Sequence, residues 1–191
     1  MKDRTACILD GGPSVKSATT GASETLVELL GERGWTATIY TLRDLAIAPC
    51  LGCFSCWVKT PGVCIIDDVA REIARTAIGS ELLAFVTPIT FGGYSSELKK
   101  GIDRMIPLIL PYFTFVGSEV HHIRRYPKAP NILGVGILPR PDEEQERIFR
   151  TLIRRNSINY HAPDAESFVG YEGDTGIRAG IGEALDEVIE R

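Results

Sequence analysis

Four of the chain's five cysteines, Cys50, Cys53, Cys56 and Cys64, stand within fifteen residues of one another. The first three form a Cys-x2-Cys-x2-Cys run, and the fourth follows after seven residues. Thiolates spaced this closely can meet one inorganic centre. Iron–sulfur clusters take four cysteines, and ferredoxin runs begin with this spacing. Four thiolates also suit tetrahedral zinc. A third reading leaves them as small buried residues or loose loop thiols with no inorganic partner. The odd total argues against a disulfide framework. Cys7 lies in a separate apolar run, Thr5 to Leu9, and reads as a core thiol.

Two other segments have the composition of ligand loops. Gly11-Gly12-Pro13-Ser14 opens a stretch of small and hydroxyl residues that runs to Ser23. Glycines let a backbone turn tightly and approach a ligand. Ser14, Ser17, Thr19, Thr20 and Ser23 offer hydroxyl donors. A helix starting near Ser23 would add unsatisfied N–H groups and a positive partial charge. Such a loop can hold a phosphate monoester without arginine, or it can simply cap the helix. The second segment, Thr87-Pro88-Ile89-Thr90-Phe91-Gly92-Gly93-Tyr94-Ser95, follows the apolar run Leu82 to Val86. Its glycines allow backbone to lie along the edge of a flat ring, and Phe91 and Tyr94 could pack on a ring face or wall a pocket. The alternative is a glycine-rich turn with two core aromatics.

The elements that must position these loops alternate. Strands are expected over Thr5 to Leu9, Trp35 to Leu42, Glu81 to Thr87, Ile132 to Leu138 and Glu166 to Tyr171. Helices are expected from near Ser23 to Gly34, from Asp67-Asp68 onward, from Ser96 through Ile109 with Pro111 as the stop, over Asp142 to Asn156, and at the C-terminus. Alternating strands and helices imply a parallel sheet covered on both faces. In such sheets ligands sit at the carboxyl ends of the strands, where all three segments above emerge.

The two ligand-type loops resemble those of the NADPH-dependent FMN reductase family of flavodoxin-like proteins. That family carries a Gly-Ser-Pro-Arg loop ending Gly-Asn-Thr, and later a Thr-Pro-x-Tyr-x-Gly-x-x-Ser segment ahead of a helix. Here Gly11-Gly12-Pro13-Ser14 and Gly21-Ala22-Ser23 stand in the first position, and the Thr87 to Ser95 segment is the stronger match. The resemblance covers roughly the first 110 residues. Gly12 and Ser14 replace the family's Ser and Arg, and Ala22 replaces its Asn, so a phosphate grip here would rest on hydroxyls and backbone amides. The cysteine run is similar to the cluster motif of iron–sulfur flavoproteins, a branch of the same superfamily; the match is at Cys50, Cys53 and Cys56, with a longer gap before Cys64.

The resemblance implies one flavodoxin-like FMN-binding domain over residues 1–191. Its doubly wound, five-stranded parallel sheet would have helices on both faces, with a Cys-rich loop at 49–64 and an irregular insertion at 111–130. Ser14, Ser17 and Ser23 would hold the FMN phosphate. Pro88, Thr90, Phe91, Gly92, Gly93 and Tyr94 would hold the ring. The implied activity is transfer of electrons from NAD(P)H to a flavin, quinone or similar small acceptor. The alternative is an electron carrier that adds a [4Fe–4S] cluster at Cys50, Cys53, Cys56 and Cys64 and exchanges electrons with a ferredoxin-like protein. A weaker third reading keeps the fold without FMN. A homodimer or homotetramer is implied, because a neighbouring subunit can complete such a pocket.

Composition excludes other classes. The chain is 44% hydrophobic and 24% charged, with a net charge of −4. No basic face marks a nucleic-acid partner. The apolar runs are too short and too rich in proline to span a membrane. The N-terminal residues lack a signal-peptide layout, so a cytoplasmic location is expected. The segment His121-His122-Ile123-Arg124-Arg125-Tyr126 reads as a solvated loop or subunit contact, with a flavin rim or nicotinamide-phosphate site as the functional alternative. Asn156 and Tyr160 are weaker candidates for a contact surface.

Overall fold

The computed structural model describes residues 4–14 and 17–190. Five parallel strands form the sheet in the order β2-β1-β3-β6-β7. They are β1 (Thr5–Asp10), β2 (Thr36–Thr41), β3 (Leu82–Pro88), β6 (Asn131–Leu138) and β7 (Ala165–Tyr171). This is the expected flavodoxin-like arrangement, with each strand within about a residue of its expected place. Alternate residues of a strand point to opposite faces, so β1 feeds two cores. Cys7 and Leu9 pack on one face with α3 (Ala70–Gly79), α4 (Ser96–Asp103) and α5 (Glu143–Tyr160). Ala6 and Ile8 pack on the other with α1 (Ala18–Glu32) and α6 (Ile177–Glu190). No helix among the described residues is long and apolar enough to cross a membrane.

Two boundaries differ from expectation. Helix α1 begins five residues before Ser23, because Ser17 serves as its N-cap and accepts a hydrogen bond from the Thr20 N–H at 3.2 Å. From Ala18 on, the run of small residues is therefore the first turns of a helix. Thr19, Thr20, Ala22 and Ser23 are its buried face. Helix α4 stops at Asp103 rather than continuing to Ile109, and a 3-10 turn at Ile106–Leu108 contains Pro107. Proline has no N–H to carry an α-helix through that point.

Residues 111–130 are not irregular, as the sequence suggests, but chiefly an antiparallel hairpin. Strand β4 (Ile109–Val116) pairs with β5 (Glu119–Arg124) through a turn at Gly117-Ser118, where Gly117 has φ +60°. Pro111 sits where the register shifts between Ile109 and Phe113. A bulge on a two-stranded ribbon tolerates the missing N–H that would break a central strand. The hairpin is anchored to α5. The buried His121 ring bonds Asn159 Oδ1 at 2.9 Å and Glu119 Oε2 at 3.0 Å. Arg155 pairs with Glu119 at 2.6 Å. The bonds from Arg155 and then His121 bring the Glu119 carboxyl down to about 2.

Candidate functional site

The loops after β1 and β3 are stitched together at the carboxyl edge of the sheet. Gly11 N–H donates to Val86 O at 2.8 Å. The Ser95 hydroxyl donates to Gly11 O at 2.8 Å and accepts the Leu98 N–H at 3.2 Å, capping α4. Thr87 Oγ1 accepts the Ser95 N–H at 2.9 Å. A Cβ on Gly11 would lie 2.7 Å from both Leu98 Cβ and Ser95 Oγ, so the junction admits only glycine.

Gly12 N–H turns back to the buried Asp10 carboxylate at 2.7 Å. A Cβ here would meet Asp10 Oδ1 at 2.9 Å, Thr20 Oγ1 at 3.1 Å and Ser17 Oγ at 3.2 Å. The loop therefore sets the Ser17 and Thr20 hydroxyls and the N-terminus of α1, which suit a phosphate ester, beside the Asp10 carboxylate, whose charge Arg43 offsets. Ser14 is exposed at the loop's rim, and Val15 and Lys16 lie outside the described residues. Ser23 is not part of this group. It lies fully buried in α1, where its hydroxyl donates to Thr19 O at 3.3 Å.

Sequence reasoning missed Arg43, which follows β2. Its Nη1 reaches Asp10 Oδ2 and Gly12 O at 3.4 Å and Thr20 Oγ1 at 3.5 Å, while its buried Nε has no partner. It brings to the first loop the positive charge that Ser14 does not. Its signal in the sequence was only its place just past a strand neighbouring β1.

In the second loop Thr90 and Gly93 exchange both backbone hydrogen bonds around Phe91 and Gly92. Both central residues have positive φ, +51° and +77°. That is the pattern of a type I′ turn. It costs a phenylalanine some backbone strain and leaves the Phe91 ring 93% exposed at the tip. Gly92 N–H donates to Gln145 Oε1 at 3.2 Å, and a Cβ on Gly92 would run into Ile148 at 2.6 Å. Pro88, Thr90 and Gly93 frame the same edge. Tyr94, expected on a ring face, turns into the core instead. Its ring makes edge contacts with Phe85 and Phe149, and its hydroxyl accepts from Asn156 Nδ2 at 2.8 Å. Burial raises its pKa. Asn156 and Tyr160 thus face inward rather than onto a contact surface; Tyr160 packs against the core and its hydroxyl points to Ile102 O at 3.4 Å.

The cysteine segment emerges from the same edge, after β2. Cys56 is buried, Cys50 and Cys64 are half-buried and Cys53 is exposed. All four line one small cavity with Leu51, Ile66, Ile106 and Arg104. Burial and the neighbouring thiols, Cys64 foremost, raise Cys56, whereas the Ser55 N–H and hydroxyl lower Cys53. Among the described residues no group of three or more His, Cys, Asp or Glu side chains is placed to hold a metal ion. Four cysteines are the donor set that an iron–sulfur cluster takes. Cys7 stands apart in β1, its thiol pushed up to about 12 by burial.

Two structures hold this segment. One is the turn α2 (Ser55–Val58), whose Trp57 indole N–H donates to Ile109 O at 3.0 Å and Ile106 O at 3.3 Å at the hairpin's base. Trp57 also stacks on Phe54 at 5.1 Å and lies 5.0 Å from the His122 ring, which lies 4.5 Å from Phe113. The other is the buried pair Asp68–Arg104. Arg104 Nη1 donates to Asp68 Oδ2 and Ala48 O at 2.7 Å, and Nη2 to Asp68 Oδ1 at 2.9 Å and Ile66 O at 3.2 Å. Ala48 and Ile66 each lie two residues outside the cysteine segment, so the pair ties its ends together.

Among curated proteins the chain is 31% identical over 100 residues to an iron–sulfur flavoprotein of Methanocaldococcus jannaschii, covering 52% of this chain and 51% of that one. It is 28% identical over 112 residues to an iron–sulfur flavoprotein of Archaeoglobus fulgidus, covering 59% and 56%. The chain thus matches about half the length of these relatives. An NAD(P)H:quinone oxidoreductase from Methanothermobacter marburgensis superimposes with a TM-score of 0.70 at 17% identity, covering 99% of this chain and 98% of that one. An FMN-dependent NADH-azoreductase from Bacillus anthracis, solved in complex with FMN, does so with 0.67 at 13%, covering 99% and 98%. At these identities the structures speak to the fold. The model of the NADPH-dependent FMN reductase family matches residues 5–117, more than half of the chain and both stitched loops, and the chain belongs to that oxidoreductase family.

Proposed function

We propose that the chain is an FMN-dependent oxidoreductase in which Cys50, Cys53, Cys56 and Cys64 hold a [4Fe–4S] cluster. The observation that carries the reading is the convergence of four cysteines on one cavity at the strand edge where the two FMN-type loops lie. The names of the curated relatives support it. Ser14, Ser17, the loop amides and Arg43 hold the phosphate; Pro88, Thr90, Phe91, Gly92 and Gly93 border the ring. Ser23 and Tyr94 act only by packing. Bound FMN supplies exchange of two electrons with a nicotinamide and of single electrons with an iron centre. NAD(P)H is the donor, and a quinone, a flavin or a ferredoxin-like protein takes the electrons. Five cysteines with no disulfide among them, four assigned to a cluster, favour a cytoplasmic location.

The test is a visible spectrum of protein purified anaerobically, with iron and acid-labile sulfide assays on the same sample and NAD(P)H oxidation followed with and without a quinone. Flavin absorbance over a broad iron–sulfur background, with about four irons per chain, is expected. Flavin without iron leaves a plain FMN reductase and defeats the cluster assignment. Neither chromophore after reconstitution defeats both.

The same reading includes self-association. Ring contacts run from Phe54 through Trp57 and His122 to Phe113, and Phe115, two residues along β4 and so on the same face as Phe113, pairs across the hairpin with Val120. Phe54, Phe113, Phe115 and Val120 are all at least half exposed. An apolar strip of this kind on a soluble protein marks an interaction face. A second copy covering it would also shield the cysteine loop. Light scattering after gel filtration is expected to give a dimer or tetramer, and Phe115→Glu to shift it to monomer. A wild-type monomer at micromolar concentration would count against this face.

A further inference from the structure

A guanidinium has five N–H donors. In Arg104, whose side chain is 1% exposed, both Nη atoms are committed to Ala48 O, Ile66 O and the two oxygens of Asp68. The remaining donor, Nε, is buried and makes no hydrogen bond of normal geometry, and Cys64 is the side chain besides Asp68 that interacts with the guanidinium. A buried donor without a partner is costly, and natural cores rarely keep one without reason. The same side chain lines the cysteine cavity. Its other nitrogens are held by the bonds that close the cysteine segment, so it cannot turn away without opening that segment.

We propose that Arg104 Nε–H donates a hydrogen bond to sulfur of the cluster held in this cavity, at or beside Cys64, and so sets the cluster's reduction potential. This rests on the cluster reading above. Among the four cysteines, Cys64 has the closest electrostatic tie to Arg104. Burial works to lower the guanidinium's pKa, and the bond from Asp68, the charges of Cys64 and Asp68 and a side-chain interaction with the Cys64 thiol outweigh it. Hydrogen bonds to cluster sulfurs and nearby positive charge favour the reduced, more negative state. Arg104 is a positioning residue for the segment and, through this one N–H, a tuning residue for the cluster. The two roles are separable by experiment.

Arg104→Lys keeps the charge and a bond to Asp68 but lacks the fork and with it the fifth donor. The holoprotein, reconstituted anaerobically, is titrated with dithionite and followed by electron paramagnetic resonance. Arg104→Lys with full iron and sulfide is expected to show a more negative midpoint. The reduced-to-oxidised ratio at the wild-type midpoint should fall about tenfold, or about 59 mV for one electron. Should Arg104→Lys fail to fold, the paired variant Asp68→Asn/Arg104→Gln, which removes the whole ion pair and the Nε donor together, carries the same measurement and the same expectation. A fully loaded variant with the wild-type midpoint overturns the inference and leaves the cluster assignment standing. A wild-type protein that takes up no iron overturns both.

Discussion

Asp68→Ala is expected to cost about 3–5 kcal/mol of folding stability, the range for removing one partner of a buried ion pair. The reason is what the substitution leaves behind. Arg104 would keep a buried charge while losing both carboxylate bonds, and the N–H groups of Ala48 and Ala70 would lose their acceptor, at 3.0 Å each. The comparison is Asp103→Ala, which removes the exposed Lys99–Asp103 pair on α4 and should cost no more than about 1 kcal/mol. Urea unfolding of the two variants beside wild type reads the difference. A loss of less than about 1 kcal/mol for Asp68→Ala would show that the pair is not what closes the cysteine segment. The pH dependence has a definite sign. Burial acts to raise the Asp68 carboxyl, but the Arg104 bond, the two N–H bonds and the Arg104 charge outweigh it and leave it lowered. A lowered carboxyl contributes stability above its unfolded value of about 3.9, lost as pH falls through the folded value. The gap in stability between wild type and Asp68→Ala should therefore be constant near neutrality and close only in acid.

The parts of this molecule legible in its sequence are those set by local pattern. Alternation of apolar runs with helical stripes places β1, β2, β3, β6 and β7, and with them the edge where ligands bind. The Thr87 to Ser95 segment stands out because its glycines and proline follow a fully buried strand. What the pattern misjudges has identifiable causes. Small and hydroxyl residues up to Ser23 look like loop, yet from Ala18 they belong to α1 and let the helix pack closely on the sheet, so Ser23 is a packing residue. Pro111 looks like a terminator, yet at a bulge it is compatible with β4. Tyr94 could have faced ligand or core, and only the rings of Phe85 and Phe149 decide which. Arg104 carries no sequence signal for its role, and Arg43 only its place just past β2. Their partners lie 36 residues away at Asp68 and 33 away at Asp10, and only the folded chain brings them to the cysteine cavity and the first loop.

The first loop gives the second large expected effect. Gly12→Ala should weaken FMN binding at least tenfold, about 1.4 kcal/mol, because the methyl group has nowhere to go. It would stand 2.9 Å from Asp10 Oδ1, and that carboxylate is buried, bonded to Gly12 N–H and faced by Arg43. The loop can accept the methyl only by lifting off the carboxylate, which moves Ser14 and its amides out of register with the Ser17 cap. Gly21→Ala is the internal comparison. Gly21 lies in the first turns of the same helix, exposed, with nothing within 4 Å of an added Cβ. Alanine there should stabilise the fold by about 0.4–1 kcal/mol and leave FMN affinity unchanged. Titration of apoprotein into FMN, followed by flavin fluorescence, gives both affinities, and thermal unfolding gives both stabilities. If Gly12→Ala and Gly21→Ala bind FMN alike, the phosphate does not sit in this cradle. If Gly12→Ala alone loses affinity, the turn made by Asp10, Gly12 and Ser17 is what holds it.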